Sequence, residues 1–281
     1  MHSISRRKLL CSGLALSAAS ATNLPAWARA AKAIASSKSF VPAGYKLAWS
    51  DEFDGHALDT SKWDYRTDSK CWSIQVPENV SVGDGNLVIA LTEVAKDAAK
   101  RATVIVPCED GGGSNGKFSG GGVISKTAFG YGFYEARMRI DAGKGWHSSF
   151  WMQKHDGSGG TGPSKADLEF DVIEHDSVDE KSYSVGTIKW RGGRADVSRR
   201  RVTTPPLLDF HVYGCEYTPK TVKYFFNGKL VDTSDIATLP QGKVNIWLTS
   251  IAASFTNTDK VDTSRLPGHV YFDYVRFYEK A

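Results

Sequence analysis

Sulfur is scarce in this chain, with four cysteines and three methionines in 281 residues. That is too little for a fold built on disulfides. No Cys-x-x-Cys or His-x-x-His pair is present to suggest zinc, and no Ser-His-Asp arrangement stands out. No glycine-rich phosphate loop precedes a helix. Gly111-Gly112-Gly113 and Gly120-Gly121-Gly122 lie beside Ser and Asn and read as flexible loop. Long amphipathic helical stretches are missing; Val94–Arg101 is at most a helical turn. Long apolar runs are missing too, since Leu9 to Ala21 is too short and too rich in Ser, Gly and Ala to span a bilayer. Nor is there a charge surplus outside the first thirty residues. The formal +4 equals the contribution of Arg6, Arg7, Lys8 and Arg29, with no acid among residues 1–30. The remainder is balanced, so no nucleic-acid or membrane partner is implied globally.

What is present begins with a leader. Ser5-Arg6-Arg7-Lys8-Leu9-Leu10 is a twin-arginine start and Ala28-Arg29-Ala30 a cleavage site, so residues 1–30 read as a signal for export to a periplasmic or extracellular space. Residues 31–41 read as a poorly ordered tether, and residues 42–281 as one domain. From 42 onward, short runs rich in Val, Ile, Tyr, Phe and Trp alternate with turns. Gly83-Asp84-Gly85-Asn86 is one such turn. Asn227-Gly228, between Val222–Phe226 and Lys229–Val231, is a strong type I′ hairpin signal. The pattern is all-β, an antiparallel sandwich.

The chain is organised around Asp167-Leu168-Glu169-Phe170-Asp171-Val172-Ile173-Glu174-His175-Asp176, which holds five carboxylates in ten residues. Alternation of acidic and apolar residues marks a half-buried strand. Strand period two puts Glu169 and Asp171 on one face and Phe170 and Val172 on the other. Glu174 is out of step, and a β-bulge at Val172-Ile173 would return it to the acidic face. Carboxylates this close raise one another's pKa, so a proton is held near neutral pH. An ionised nucleophile and a protonated acid, about 5–5.5 Å apart, are what retaining glycoside hydrolysis needs.

Glu-x-Asp-x-x-Glu resembles the catalytic signature of glycoside hydrolase family 16, in the bulged form of its laminarinase, agarase and carrageenase branch. Six ordered blocks extend the resemblance over nearly the whole chain after the leader. They are Leu47–Gly55 with Lys62-Trp63, Asn79–Leu87, Phe129–Arg137, Gly145–Trp151, Asp209–Thr218 and Phe272–Tyr278. The resemblance implies a β-jelly roll with a concave substrate cleft. It makes Glu169 the nucleophile, Asp171 its helper and Glu174 the acid/base. It implies no catalytic metal or redox cofactor, a polysaccharide as the partner and a monomer. A structural calcium on the convex side would match Glu52, Gly85 and Asp273. Two departures stand out. Ile246–Ala252 replaces a Gly-Gly-rich turn, and Lys165-Ala166-Asp167-Leu168 lacks the aromatic or Gly usual in glucan-cleaving members.

Aromatic rings stack on sugars, but most tryptophans of a sandwich are core. Trp49 and Trp63 are assigned to the core. Trp146 and Trp151 face opposite ways by parity, and the family pattern puts Trp151 in the cleft. Trp190 is a second stacking candidate, and for both the core is an equal alternative. His147 shares parity with Trp151 and so has a claim on the cleft, whereas His175 reads as a structural histidine. Cys71 and Cys108 lie in polar, loop-like stretches and are expected to form a disulfide, with Cys215 a buried free thiol.

A lectin on the same sandwich would be favoured only if a glutamate were missing, and a transglycosylase would share the covalent intermediate. The commonest substrate of bulged-motif relatives is a neutral β-1,3-glucan, which is the first expectation. Lys189-Trp190-Arg191-Gly192-Gly193-Arg194-Ala195-Asp196-Val197-Ser198-Arg199-Arg200-Arg201 raises an alternative. Either it is a solvated hairpin tip, or its Lys189 side overhangs the cleft end to meet a sulfated galactan through guanidinium forks.

Overall fold

The computed structural model describes residues 39–94, 104–106, 116–155, 167–176, 179–253 and 261–281, of which 104–106 are described by backbone alone. The leader, most of the tether, Cys108, Gly111–Gly113 and most of Val94–Arg101 lie outside the described residues.

Two antiparallel sheets face each other. In the first, β18 (Gly268–Lys280) lies between β9 (Gly132–Asp141) on one side and β1 (Tyr45–Asp51) and β6 (Asn86–Glu93) on the other. Beyond β6 comes β5 (Val80–Gly83); beyond β9 come β14 (His211–Tyr217), β15 (Thr221–Phe226) and β16 (Lys229–Asp235). The second sheet runs β2 (Trp63–Tyr65), β8 (Phe118–Ser125), β17 (Asn245–Ala252), β10 (Trp146–Gln153), β11 (Leu168–His175), β12 (Ser182–Lys189) and β13 (Ala195–Thr203). A small patch of β3 (Asp68–Lys70), β4 (Ser73–Gln75) and β7 (Val104–Val106) joins them at one edge, where β4 runs parallel to β8. The described residues contain only two short 3₁₀ turns besides strand and loop, Pro77–Asn79 and Thr263–Arg265.

The predicted turns form for the predicted reason. Asp84 and Gly85 (φ 51° and 73°) and Asn227 and Gly228 (φ 46° and 80°) take the left-handed conformation that a two-residue hairpin demands. Alternation then sends one face of each strand inward. Phe170 of β11 packs on Tyr217 of β14 at 4.7 Å between ring centres, and Tyr183 of β12 meets Tyr213 at 5.3 Å. Trp63 and Trp146 are fully buried, and Trp49 packs edge-on against Trp63.

Two expectations need correction. Gly120-Gly121-Gly122 is not loop but the middle of β8. A Cβ on Gly120 would fall on the carbonyl of Ser250, and one on Gly122 would meet Thr249, so β17 crowds those two, while Val80 of β5 and Ile89 of β6 crowd Gly121. The end of the supposed tether is also ordered. The Phe40 backbone N–H donates to the buried Glu135 carboxylate at 2.8 Å, and the Phe40 ring covers Gly228. A buried carboxylate needs donors, and the chain end supplies one. Cys71 is disulfide-bonded and Cys215 is a buried free thiol.

Candidate active site

β11 is the strand on which the site is built. Opposite β10, Phe150 pairs with Ile173 and Trp151 with Asp171, so β11 carries one extra residue, Val172. Opposite β12 the same irregularity falls between Asp171 and Glu174. Val172 and Ile173 both point into the core, and beyond them Glu174 regains the face of Glu169 and Asp171. Leu168, Phe170, Val172 and Ile173 anchor the other face, so the carboxylates sit on a rigid floor.

Each carboxylate has its own surroundings. Glu169 Oε2 accepts from Gln153 Nε2 at 2.7 Å, directly across the ladder on β10, and from the Trp190 indole at 3.0 Å. Two neutral donors on one oxygen orient the carboxylate without supplying a counter-charge. Asp171 is buried between Trp151 of β10 and Gly186 of β12. Glu174 has basic groups on both sides. His147 Nε2 stands 3.2 Å from Oε1, and Arg199 Nη2 stands 3.3 Å from Oε2. His147 Nδ1 meets Asp176 Oδ1 at 2.9 Å, and Asp176 Oδ2 accepts from Arg201 at 2.9 Å. The result is a chain from the exposed Arg201 through the buried Asp176 and His147 to Glu174.

Burial opposes charge on His147, but hydrogen bonds to Asp176 and Glu174 outweigh it and raise its pKa to about 9. Burial likewise opposes ionisation of Glu174, yet His147 and Arg199 hold its carboxyl below the ordinary range. The expectation that crowded carboxylates keep a proton is therefore not met at Glu174. Cations from β10 and β13 overcome the like-charge repulsion that the strand alone would impose. His175 turns the other way, gives Nε2 to the carbonyl of Asp179 at 2.8 Å and is held toward its neutral form by burial. That is the structural role its parity indicates.

Trp151 is on the cleft side but nearly covered, at 7% exposure. It stacks on Trp247 at 4.6 Å and donates to Thr249, forming with Ile124 an apolar cluster separate from the core. It is floor, not an open platform. Trp190 is half-exposed, and it reaches Glu169 through its indole N–H. The basic run is solvent-exposed from Arg191 to Asp196, as the solvated-tip reading expects. It is a turn followed by the edge strand β13, and Arg199 and Arg201 reach the site from that strand's far end. Gln153, Trp247, Asp176, Arg199 and Arg201 thus belong to the site without having been singled out. Parity on each strand would have aligned them, but which strands are neighbours is not local information.

The calcium expectation finds no support in the donor set. Glu52 is taken by Arg276 (2.7 Å) and Asp273 by Arg137 (2.6 Å). Gly85 serves the β5–β6 turn. Among the described residues no group of three or more His, Cys, Asp or Glu side chains could hold a metal ion.

An all-β sandwich that lines its cleft with a bulged carboxylate trio belongs among the carbohydrate-active jelly rolls. The family model for the GH16 domain of β-porphyranases A–D matches residues 46–280, and the chain belongs to glycoside hydrolase family 16. It is 26% identical over 264 residues to a β-glucanase of Rhodothermus marinus, covering 83% of this chain and 85% of that protein. It is 30% identical over 234 residues to β-porphyranase B of Phocaeicola plebeius, covering 68% and 69%. A crystal structure of a non-specific endo-β-1,3(4)-glucanase of family 16 superposes with a TM-score of 0.68 at 23% identity, over 86% of this chain and 93% of that one. The chain spans only 34% and 38% of two longer relatives, so their further parts have no counterpart in the match.

Proposed function

We propose that the protein is an exported, retaining endo-hydrolase of an anionic β-linked galactan, of the sulfated porphyran kind. The observation that carries the substrate is Arg199. It is an exposed-edge guanidinium on the cleft face, in contact with Glu174 and flanked by Arg201 on the same parity. Guanidinium forks match sulfate oxygens. The β-porphyranase relative and the porphyranase-type family model support the same class.

In this reading Glu169 attacks the anomeric carbon while Glu174 gives its proton to the leaving oxygen. Water then loses a proton to Glu174 as its oxygen displaces Glu169. Gln153 and Trp190 orient Glu169, and Asp171 assists it. Trp151 and Trp247 floor the cleft. No step needs a metal. Export follows from residues 1–30, with the catalytic domain beginning near residue 42.

A neutral β-1,3-glucan is the second reading, favoured by the β-glucanase relative, which aligns over more of its length. A reducing-sugar screen over laminarin, mixed-linkage glucan, agarose, carrageenans and porphyran at low and high salt decides between them. A sulfated galactan should be cleaved best, and salt should weaken its binding. Laminarin cleaved best with no salt response would overturn the anionic reading. Glu169→Gln and Glu174→Gln should each lose several orders of magnitude in turnover while keeping the far-UV spectrum. Near-normal turnover in either would remove the assignment.

A further inference from the structure

Glu174 is gripped by two bases of different character. His147 is buried, 10% exposed at the side chain, and locked from behind by Asp176 and Arg201. Arg199 is 41% exposed and held to Glu174 by a single ion pair at 3.3 Å. Oε2, the oxygen it meets, is buried and accepts no hydrogen bond among the described residues. The first contact is fixed by the fold; the second can exchange.

The reach of Arg199 has a structural cause. Asp171, Gly186 and Arg199 lie in register across β11, β12 and β13, and Glu174, Ser184 and Arg201 form the parallel row. The two strand spacings between the outer members amount to about 9–10 Å. Only small residues in the middle positions leave a channel for an arginine to cross. β13 is bulged at Val197, and its Ser198 carbonyl lies where a Cβ on Gly186 would be. The sheet edge therefore presents a solvent-open guanidinium directly to the far oxygen of Glu174.

We propose that Arg199 is a specificity-determining residue that couples recognition of an anionic group on the substrate to protonation of Glu174. In the resting cleft Arg199 neutralises Oε2, and Glu174 stays ionised. A sulfate on the bound sugar offers Arg199 a better, bidentate partner. The guanidinium moves onto the sulfate, and Oε2 loses its counter-charge beside a new anion. Both changes favour uptake of a proton from solvent, and this proton goes to the leaving oxygen. A neutral chain leaves Arg199 in place and meets an acid without its proton. This rests on the anionic-galactan reading above.

The groups that face Glu174 are consistent with the coupling. From β10 comes His147, from β11 and its end Asp171 and Asp176, and from β13 Arg199, with Arg201 acting through Asp176 and Asp196 near Arg199. β12 contributes only Ser184 and Gly186. Burial works against the Glu174 charge, and His147 and Arg199 are the cations that restore it. Of the two, only Arg199 can leave.

Carbon-13 NMR titration of the Glu174 carboxyl tests the coupling without a polysaccharide. Wild type, Arg199→Gln and Arg199→Lys are compared with and without inorganic sulfate. Arg199→Gln should titrate about one pH unit higher than wild type, the low end for loss of an adjacent charge. Arg199→Lys should stay near wild type. Sulfate should raise the wild-type midpoint and leave Arg199→Gln unchanged. On porphyran and its desulfated form, wild-type kcat, which reports the enzyme-substrate complex, should lose its basic limb at lower pH on the desulfated chain. In Arg199→Gln the two polymers should share one limb. Identical Glu174 titration in wild type and Arg199→Gln overturns the coupling, whatever the substrate. If the midpoints move as described and no sulfated galactan is cleaved, the substrate reading falls and the Arg199–Glu174 coupling stands.

Discussion

His147 is the residue whose environment departs furthest from what its neighbours in sequence suggest. It sits in an apolar-rich strand between Trp146 and Ser148, yet it bridges Glu174 and Asp176. Its pKa is raised from an ordinary 6.5 to about 9, while those of Glu174 and Asp176 are lowered from 4.5 and 3.8. The signs set a pH window. A raised histidine adds stability that is complete below 6.5 and is lost as pH rises through about 9. The lowered carboxylates add stability that is complete above 4.5 and is lost as pH falls through their folded values. Urea midpoints should therefore be highest between 4.5 and 6.5 and fall toward 9. His147→Gln should flatten the decline on the alkaline side. A variant with the wild-type slope there would mean that the imidazole carries no charge in the pair.

At the scale of the element, β12 and β13 decide how far basic groups can reach. β12 points Tyr183 and Val185 into the core and presents Ser184 and Gly186 to the cleft. Gly186→Ala would drive a methyl into the Ser198 carbonyl, and a backbone atom cannot swing aside as a side-chain tip can. β13 should be pushed outward at a cost of about 1–3 kcal/mol. The loss of activity should exceed what that destabilisation predicts, because Arg199 and Arg201 travel with the strand. Thermal melting paired with kcat/KM separates the two effects, and an unchanged kcat/KM would show that the strand's position does not matter to the site. The bulge on β11 is the other decision at this scale. Without Val172 as an extra residue, a one-residue slip would turn Glu174 into the core.

At the scale of the whole molecule, the two ends of the domain are clamped by charge. Arg276 of β18 is 2% exposed at its side chain, lies over the Tyr274 ring and binds both oxygens of Glu52 just after β1. Glu52→Gln would deprive that guanidinium of its bidentate carboxylate and should cost about 3 kcal/mol, the lower end for breaking a buried pair. The melting temperature of the wild-type protein should be indifferent to a chelator, since Arg276 and Arg137 already occupy the carboxylates that a calcium ion would need. A fall in melting temperature on chelation would restore the metal.

Period-two alternation is a local property, so the chain by itself determined that β11 is a strand with an apolar face, that Glu169 and Asp171 share the other face and that a bulge must bring Glu174 back; that β11 is buried on both sides, Asp171 included, it did not determine. Turn chemistry is local as well, and Asn227-Gly228 could form little else. Strand neighbourhood is not local. Glu174 meets His147 from 27 residues upstream and Arg199 from 25 downstream only because β10, β11, β12 and β13 pair in that order. The sign of its pKa shift was thus decided by tertiary structure. Carboxylates crowded on one strand push it up, whereas cations delivered from strands on either side pull it down, and at hydrogen-bonding distance in a buried site the cations prevail.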